Sequence, residues 1–256
     1  MKSKTIIIIA SLGVVGVILM VVANNWEKIF GDEDNVEVGT TEPNHEYPYK
    51  PKPEPQAVVP ILDPLKYTEE WDKIMMDDFE SVETEWVVGD YENEYVDPFD
   101  IQIKNGKLRW DMLYQKPGLF FLESPKGMSA GFYVAADVKF IESGSANKSA
   151  GLLFGKILVH NYIFLINEHN QYFVSYFDGE KVENHIPYTS FDKNPEGTYR
   201  LAILSENLIL RFYINGAQVG DLRFDFFAGG HVGVALQSID TGAMVVEFDN
   251  FEYRRR

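Results

Sequence analysis

The sequence predicts an all-β fold, a two-sheet antiparallel jelly-roll sandwich, behind one N-terminal transmembrane helix. Three observations predict it: Asn-Gly and Asp-Gly turns between short apolar runs, about a dozen strand-like segments with almost no helical periodicity, and a nineteen-residue uncharged stretch near the amino terminus. Half-polar strands must bury one face against a second sheet, which is why we expect a sandwich.

Composition narrows the function before any motif is considered. The 256 residues include 23 Lys and Arg against 39 Asp and Glu, a formal charge of −16, which argues against nucleic acid as the main partner. The chain has no cysteine, so disulfides, thiolate-zinc sites, iron–sulfur clusters and cysteine nucleophiles are excluded. Any chemistry must therefore use oxygen and imidazole groups.

The pattern of the amino-terminal region predicts a membrane anchor. We expect residues 1–4 in the cytoplasm and residues 5–23 across the membrane, because nineteen helical residues span about 28 Å, close to the about 30 Å of a bilayer core. Lys2 and Lys4 precede this stretch and acidic residues follow it, so the positive-inside rule places the remaining chain outside the cytoplasm, at the cell membrane. A cleaved signal peptide is the alternative for the same residues.

Residues 24–64 are predicted to be an acidic, proline-rich stalk. Seven of the twelve prolines fall within residues 43–64, and proline favours an extended polyproline II conformation while lacking the donor that a β-ladder needs. We interpret residues 41–64 as a spacer, with a proline-rich ligand for another protein as the alternative.

Residues 65–256 are predicted to form the sandwich. Three turns indicate hairpins, because Asn-Gly supplies the positive φ angles of a type I′ turn: Asn105-Gly106, Asn215-Gly216 and Asp178-Gly179. Residues 68–75 suggest a turn or two of helix. Further strand candidates, rich in β-branched and aromatic residues, are 75–82, 119–123, 131–141, 151–159, 161–167, 171–177, 199–205, 232–237 and 244–253.

Short motifs follow one another in a fixed order through this region: Asp77-Asp78-Phe79-Glu80, Ile103 to Leu108, Ala150 to Gly155, Tyr162 to Ile166, Phe212 to Gly216, Gly230 to Val234 and Val246 to Phe251. The succession resembles the concanavalin A-like lectin/glucanase superfamily, especially laminin G-like and 3-keto-glycoside hydrolase-like sandwich domains. The resemblance implies two antiparallel sheets with adjacent first and last strands. It also implies a saccharide-binding face in many members and a structural calcium ion in some.

A saccharide site needs aromatic faces that stack on pyranose rings and polar side chains that hold hydroxyl groups. Residues 160–171 are unusually dense in such groups. Strand alternation aligns Tyr162 with Phe164 and Ile166, which weakens the case for Tyr162 as a ligand. The candidate ligand-binding residues are Trp86, Trp110, Tyr114, His160, Asn161, His169, Tyr172 and Tyr176.

The segment from Glu247 to Glu252 has the E-x-D-x-x-E order of laminarinase-like retaining glycosidases. Glu247 and Asp249 share a strand face and are the candidate catalytic pair, since retaining cleavage needs two carboxyl groups about 5–5.5 Å apart. Glu252 has the opposite parity unless a bulge intervenes. Only four residues follow the motif, so a closing strand with solvated or cation-bound carboxylates is the favoured interpretation.

A structural calcium ion is the one cofactor that the residues suggest. Asp78, Glu80 and Asp249 offer hard oxygen ligands if the first and last strands meet. The five histidines lack zinc-ligand spacing, and no serine stands in a G-x-S-x-G elbow.

The sequence thus predicts a membrane-anchored, extracytoplasmic domain that binds a glycan or glycoside without cleaving it. A structural accessory subunit, docked to another membrane or surface protein, is the alternative. A glycoside hydrolase is the second alternative, and the partner in the leading interpretation is carbohydrate rather than nucleic acid.

Overall fold

The fold was analysed in a computed structural model, which describes residues 6–11, 17–22, 63–81, 85–93, 96–114, 118–128, 130–142, 147–157, 160–178, 181–224 and 229–256. Apart from one short helix, the regular elements of these residues are strands in two antiparallel sheets. The prediction of an all-β two-sheet sandwich is therefore confirmed for the described part of the chain.

The first sheet has eight strands. In spatial order they are β1 (Ile6–Ser11), β2 (Val17–Val22), β7 (Gly118–Met128), β16 (Gly230–Ser238), β9 (Lys148–Ile157), β10 (His160–Asn167), β11 (Gln171–Phe177) and β12 (Val182–Ser190).

The second sheet has nine strands. In spatial order they are β15 (Ala217–Arg223), β14 (Ile209–Ile214), β13 (Thr198–Glu206), β8 (Phe132–Glu142), β17 (Gly242–Arg255), β6 (Leu108–Tyr114), β5 (Val96–Ile103) and β4 (Gly89–Asn93), while β3 (Asp72–Asp77) also pairs with β17. The β3–β17 ladder joins Asp77 to Phe251, so the first strand after helix α1 (Pro64–Tyr67) is adjacent to the last strand, as the resemblance implied for residues 65–256.

The predicted hairpin turns have the expected geometry. Asn105 and Gly106 have φ values of 54° and 68°, and Lys104 and Lys107 exchange backbone hydrogen bonds of 2.9 and 3.1 Å. Asn215 and Gly216 repeat the pattern with φ values of 51° and 82°. The third hairpin joins β11 to β12, although its turn residues 179 and 180 lie outside the described residues.

The main core lies between the two sheets and follows strand alternation. On β10, Phe164 and Ile166 belong to this core, whereas Ile163 and Leu165 belong to a separate cluster on the opposite face of the sheet. Each large apolar side chain that is fully buried contributes about 1.5–3 kcal/mol relative to an exposed one. The largest side chains buried between the sheets include Trp110, Phe154, Phe164 and Phe212.

The outer face of the nine-stranded sheet carries its own small cluster of Tyr133, Ala135, Ala202, Leu204 and Tyr213, with Trp71 packed against it. Trp71 follows the helix α1 (Pro64–Tyr67), whose N-cap Asp63 accepts a 3.0 Å hydrogen bond from Lys66 N. The start of the domain therefore lies on this face.

The prediction of helix over residues 68–75 was wrong. Helix α1 ends before Thr68, and β3 begins at Asp72. Met75 and Met76 pair with Tyr253 and Glu252 of the last strand, so a backbone ladder over these residues replaces the expected helical turn.

The predicted transmembrane helix over residues 5–23 is not supported. Within that stretch the structure describes the strands β1 and β2, with β2 beside β7, and residues 5, 12–16 and 23 lie outside the described residues. An apolar run rich in Ile and Val suits a strand as well as a helix, and periodicity does not separate the two. Residues 24–62 of the predicted stalk also lie outside the description.

Among the described residues, no helix has the length and apolar character needed to cross a membrane.

Two glycines of the eight-stranded sheet provide a matched test of strand packing. A Cβ on Gly151 would lie 2.2 Å from the carbonyl oxygen of Phe164 on the neighbouring strand, whereas a Cβ on Gly127 would meet nothing closer than 3.8 Å. We expect Gly151→Ala to lower the free energy of unfolding by about 1–3 kcal/mol, the usual cost of overpacking. Urea denaturation measures this, with Gly127→Ala as the near-neutral control. Equal effects of the two substitutions would contradict the packing described.

Candidate functional site

Two histidines and two tyrosines meet at one end of the eight-stranded sheet. His160 and Tyr162 begin β10, Tyr176 lies near the end of β11 in register with Tyr162, and His185 lies on β12. His160 Nδ1 and the Tyr176 hydroxyl are 2.8 Å apart and hydrogen-bonded, and their rings are nearly parallel. We call these four residues the aromatic–histidine cluster.

Tyr162 connects this cluster to the main core. Its ring centre lies 4.7 Å from that of Tyr176 and 5.8 Å from that of His185. On its other sides it stacks on Phe154 at 5.4 Å and meets the edge of Phe224 at 5.3 Å. The expectation that Tyr162 lies on the core side is therefore confirmed, yet the same alternation brings Tyr176 to that side with it.

The cluster stands at a rim of the sandwich rather than in its centre. All four side chains are half-buried, between the fully buried core and open surface. The connections of residues 158–159, 179–180 and 225–228 leave β9, β11 and β15 at this end, and they lie outside the described residues. A rim of this kind is a common place for a ligand site.

His185 is held in its neutral form near pH 7. Burial lowers the pKa of His185 below its usual 6.5, and the nearby Glu183 carboxylate opposes this by a smaller amount. A neutral imidazole offers one donor and one acceptor, and a tyrosine hydroxyl can do both. The cluster therefore combines apolar ring faces with polar groups suited to hydroxyl-bearing ligands.

Three of the predicted ligand residues belong to the core instead, which corrects their assignment. Trp86 is packed edge to face against Phe251, with ring centres 4.9 Å apart, and Trp110 has no exposed surface. Tyr172 is buried, and its hydroxyl donates to the backbone carbonyl oxygen of Val219. Large aromatic side chains in a sandwich pack in the core more often than they bind a ligand. These three side chains have no exposed ring face on which a sugar could stack.

Two further predicted ligand residues, Asn161 and His169, do not join the cluster. Asn161 points to the opposite face of the sheet from Tyr162 and is fully buried. His169 is exposed in the β10–β11 turn, at the far end of β10, where its backbone N–H donates to Asn167. The backbone of Tyr114 ends β6, and its side chain lies outside the description. Of the seven predicted residues whose side chains the structure describes, His160 and Tyr176 alone meet in the cluster.

The candidate catalytic carboxylates lie on the outer face of the nine-stranded sheet, each next to a cation. Glu247 Oε1 is 3.2 Å from Arg109 Nη1, and Asp249 forms an ion pair with Lys107. A nucleophile or general acid needs a carboxyl group free to reach the sugar, so this pairing gives the two acids a structural role in the strand.

Glu252 lies on the same face of the sheet as Glu247 and Asp249. In a regular strand it would lie on the opposite face, but a bulge in β17 reverses the alternation. The pairing of β17 with β8 shifts register between Asp249 and Glu252, and Asn250 has a φ of 48°. Glu252 is buried, and its carboxylate accepts hydrogen bonds from Arg200 and Arg254. Three carboxylates therefore line one face, all of them in ion pairs.

Two of the three candidate calcium ligands are engaged within the protein. Asp78 Oδ1 accepts a 3.2 Å hydrogen bond from the backbone N–H of Glu80, and Asp249 pairs with Lys107. Across the described ranges, no three His, Asp or Glu side chains are grouped so as to hold a metal ion. A structural calcium ion stays a prediction.

His185 was missed by the sequence analysis, although a signal was present. The Asp178-Gly179 turn folds β12 back along β11, and the ladder pairs Ser175 with Asn184 and Val174 with Ile186. His185 is thereby placed across from the β11 residues next to Tyr176. The register shifts of this ladder decide which face His185 takes, and they leave no mark in the sequence.

Known proteins add information about the fold. A scan against protein-family models gives no match, and a search of the curated proteins gives none either.

Solved structures do match. One, from a study of endo-acting O-glycanases of the human gut microbiota that initiate mucin breakdown, covers 72% of this chain and 99% of its own, at 12% identity and a TM-score of 0.53. LamA of Zobellia galactanivorans, in complex with laminaritriose and laminaritetraose, gives the same coverages and TM-score at 9% identity. A Bacillus subtilis protein of unknown function with a galectin-like fold matches at 13% identity over 72% of this chain and 96% of its own, with a TM-score of 0.51. These likenesses show a shared β-sandwich fold.

The half-buried His185 makes stability depend on pH. Because the pKa is lowered in the folded state, the unfolded chain takes up the proton first, and the free energy of unfolding falls as the pH drops from 7.5 through 6.5. The fall stops once the pH lies below the folded-state pKa. We expect His185→Gln to flatten this dependence in urea denaturation at a series of pH values. His169→Gln is the control outside the cluster, and a parent-like slope in His185→Gln would disprove the assignment.

Proposed function

We propose that this protein binds a glycan, without cleaving it, at the aromatic–histidine cluster. The observation that carries the proposal is the convergence of His160, Tyr162, Tyr176 and His185 at one rim of the sandwich. The similar structures include one in complex with laminaritriose and laminaritetraose, so a sandwich of this kind can host a saccharide site.

Recognition follows from the chemistry of the four rings. The apolar face of a pyranose packs against an aromatic ring, and its hydroxyl groups exchange hydrogen bonds with imidazole nitrogens and phenol oxygens. The short contact between His160 and Tyr176 orients both groups before a ligand arrives, which reduces the entropy lost on binding. A neutral His185 suits an uncharged sugar better than an anionic one.

The non-catalytic part of the proposal is supported by the state of the acids. Glu247 and Asp249 lie on the nine-stranded sheet, whereas the cluster lies on the eight-stranded sheet. Each of the two acids pairs with a cation of its own sheet, Glu247 with Arg109 and Asp249 with Lys107. Release of reducing sugar by the full chain, abolished by Glu247→Gln, would overturn this part and identify a hydrolase.

Extracytoplasmic placement at the cell membrane is part of the proposal and rests on the sequence alone, on the lysines before residues 5–23 and the acids after them. The strands β1 and β2 described within that stretch do not contribute to it. Fractionation of cells that express the full chain tests it. Recovery in the membrane fraction, with residues 65–256 open to protease from outside, is the expected result, and recovery in the cytosol would contradict it.

A second function, docking to another protein, is favoured by a separate observation. Leu113 and Ile141 are exposed large apolar side chains, and Leu113 borders a cavity of about 540 Å³ whose wall includes the carboxylates of Asp90, Asp100 and Asp111. Burial, and then repulsion from Asp90 and Asp111, raise the pKa of Asp100, so a cationic group on a partner would be stabilised there. If Leu113→Asp abolishes a defined complex and leaves glycan binding intact, the accessory role gains support.

Binding to a glycan array tests the leading proposal. We expect the full chain to bind at least one class of glycan and His160→Ala to weaken that binding about tenfold, because a stacking ring and a hydrogen bond together contribute about 1.4 kcal/mol or more. His169→Ala, in the β10–β11 turn and outside the cluster, is the matched control and should bind normally. Equal loss in both variants, or no binding to any saccharide, would refute the proposed site.

A further inference from the structure

The strand β15 is a sheet edge whose last residues are regular and unprotected. It pairs with β14 on one side, and no strand of the described residues pairs with its other side. Native edge strands are commonly blocked by proline, lysine or bulges, because their free backbone groups attract other strands. The edge strand β12, for example, contains Pro187 and two register shifts. In β15 the register shift lies between Gln218 and Gly220, so Asp221 to Arg223 follow a regular ladder.

The backbone hydrogen bonds between β14 and β15 determine which groups remain available at this edge. The N–H of Phe224 donates to the carbonyl oxygen of Leu208 at 2.9 Å, and hydrogen-bonded pairs alternate along an antiparallel ladder. The backbone groups of Leu222 therefore point inward to β14. The N–H and C=O groups of Asp221 and Arg223 point the other way, to the open edge.

The side chains of these three residues are divided between the two faces of the sheet. Leu222 is half-buried and packs against the main core. Asp221 and Arg223 alternate with it, so they lie on the outer face, and both are exposed. Asp221 stands opposite Arg211 of β14 in the register, yet neither Asp221 nor Arg223 takes part in an ion pair within the described ranges. Their charges are therefore available to a partner at the edge.

We propose that two copies of this chain join their β15 strands side by side and antiparallel, about a two-fold axis at Leu222. In this register Asp221 lies opposite Arg223 of the second copy, and Arg223 lies opposite Asp221 of the second copy. A hydrogen-bonded antiparallel pair requires that the backbone groups of both residues point toward each other. Asp221 and Arg223 meet that requirement, so both pairs can exchange their N–H···O hydrogen bonds.

Side-chain chemistry favours this register on both faces of the joined sheet. On the outer face, each Asp221 carboxylate faces the Arg223 guanidinium of the other copy, and opposite charges directly across an antiparallel pair are stabilising. On the inner face, the two Leu222 side chains meet at the axis and cover each other's exposed part. A register displaced by two residues would place Arg223 opposite Arg223, or Asp221 opposite Asp221, and like charges in these positions are destabilising.

The position of this edge gives the pairing a consequence for ligand binding. Phe224, two residues beyond Leu222, meets the ring of Tyr162 in the aromatic–histidine cluster. Pairing therefore places the clusters of two copies on either side of the axis, where two sites can bind one branched or repeated glycan with increased avidity. This consequence rests on the proposed function, whereas the pairing itself does not. The contact is small, so we expect a reversible dimer rather than a permanent one.

Oxidative crosslinking of the full chain tests the pairing directly. The chain has no cysteine, so Leu222→Cys introduces a single thiol at the proposed axis. The two thiols would face each other in a non-hydrogen-bonded pair with Cα atoms about 4.5 Å apart, within the range of about 4.4–6.8 Å that a disulfide spans. We expect a disulfide-linked dimer as the main product on a non-reducing gel. Leu208→Cys, exposed in the β13–β14 turn, is the matched control and should remain mostly monomeric.

Charge reversal supplies a second measurement. Asp221→Arg and Arg223→Asp each place like charges opposite one another in a homodimer, so either variant should raise the dissociation constant at least about tenfold. Sedimentation equilibrium of the full chain measures this constant. An equimolar mixture of the two variants restores opposite charges at both positions, and we expect it to associate as tightly as the parent.

The opposite results are equally defined. Equal dimer yields from Leu222→Cys and Leu208→Cys, or no disulfide-linked dimer from a Leu222→Cys chain with parent-like circular dichroism, would overturn the proposal. A mixture of the charge variants that associates no better than either variant alone would also overturn it. If Leu222→Cys fails to fold, the charge variants decide. Failure of glycan binding in a chain that still forms the disulfide would count against the proposed glycan site and not against this interface.

Discussion

Burial of aromatic and aliphatic side chains between the two sheets is the interaction on which the rest of the molecule depends. The chain has no cysteine, so no disulfide offsets the conformational free energy lost on ordering the backbone, which is about 1–2 kcal/mol per residue. Trp110, Phe154, Phe164 and Phe212 are fully buried between the sheets. The strands have to keep a two-residue period to hold such side chains inside, and that period positions everything else.

The outer face of the nine-stranded sheet shows how polar groups are organised around this core. The bulge in β17 turns Glu252 outward, where it joins Arg200 of β13 to Arg254 of its own strand. Arg254 in turn donates to the carbonyl oxygen of Thr68. A buried carboxylate between two guanidinium groups has its charge compensated, and the network connects the beginning of the domain to its last strand.

The candidate site arises where the core reaches the rim of the sandwich. Tyr162 and Tyr176 follow the same alternation as the core residues of their strands, but they stand at strand ends, where the packing opens and His160 and His185 can approach. The density of polar and aromatic residues in 160–171 selected His160 but not His185, and a binding role for either residue stays a prediction. The sequence also suggested Trp86, Trp110 and Tyr172, which have the right chemistry for stacking but are already packed against other side chains.

The sequence by itself determined the class of fold, the hairpins at Asn105-Gly106 and Asn215-Gly216, and the inward alternation of β10, because turn conformation and strand period are local properties of the chain. Only the tertiary structure decided that Glu247 and Asp249 lie beside Arg109 and Lys107, that His185 faces Tyr162, and that the eight-stranded sheet is apolar on both sides. Those outcomes depend on the order of strands and on register shifts between segments far apart in the sequence, where a displacement of one residue turns a side chain to the other face.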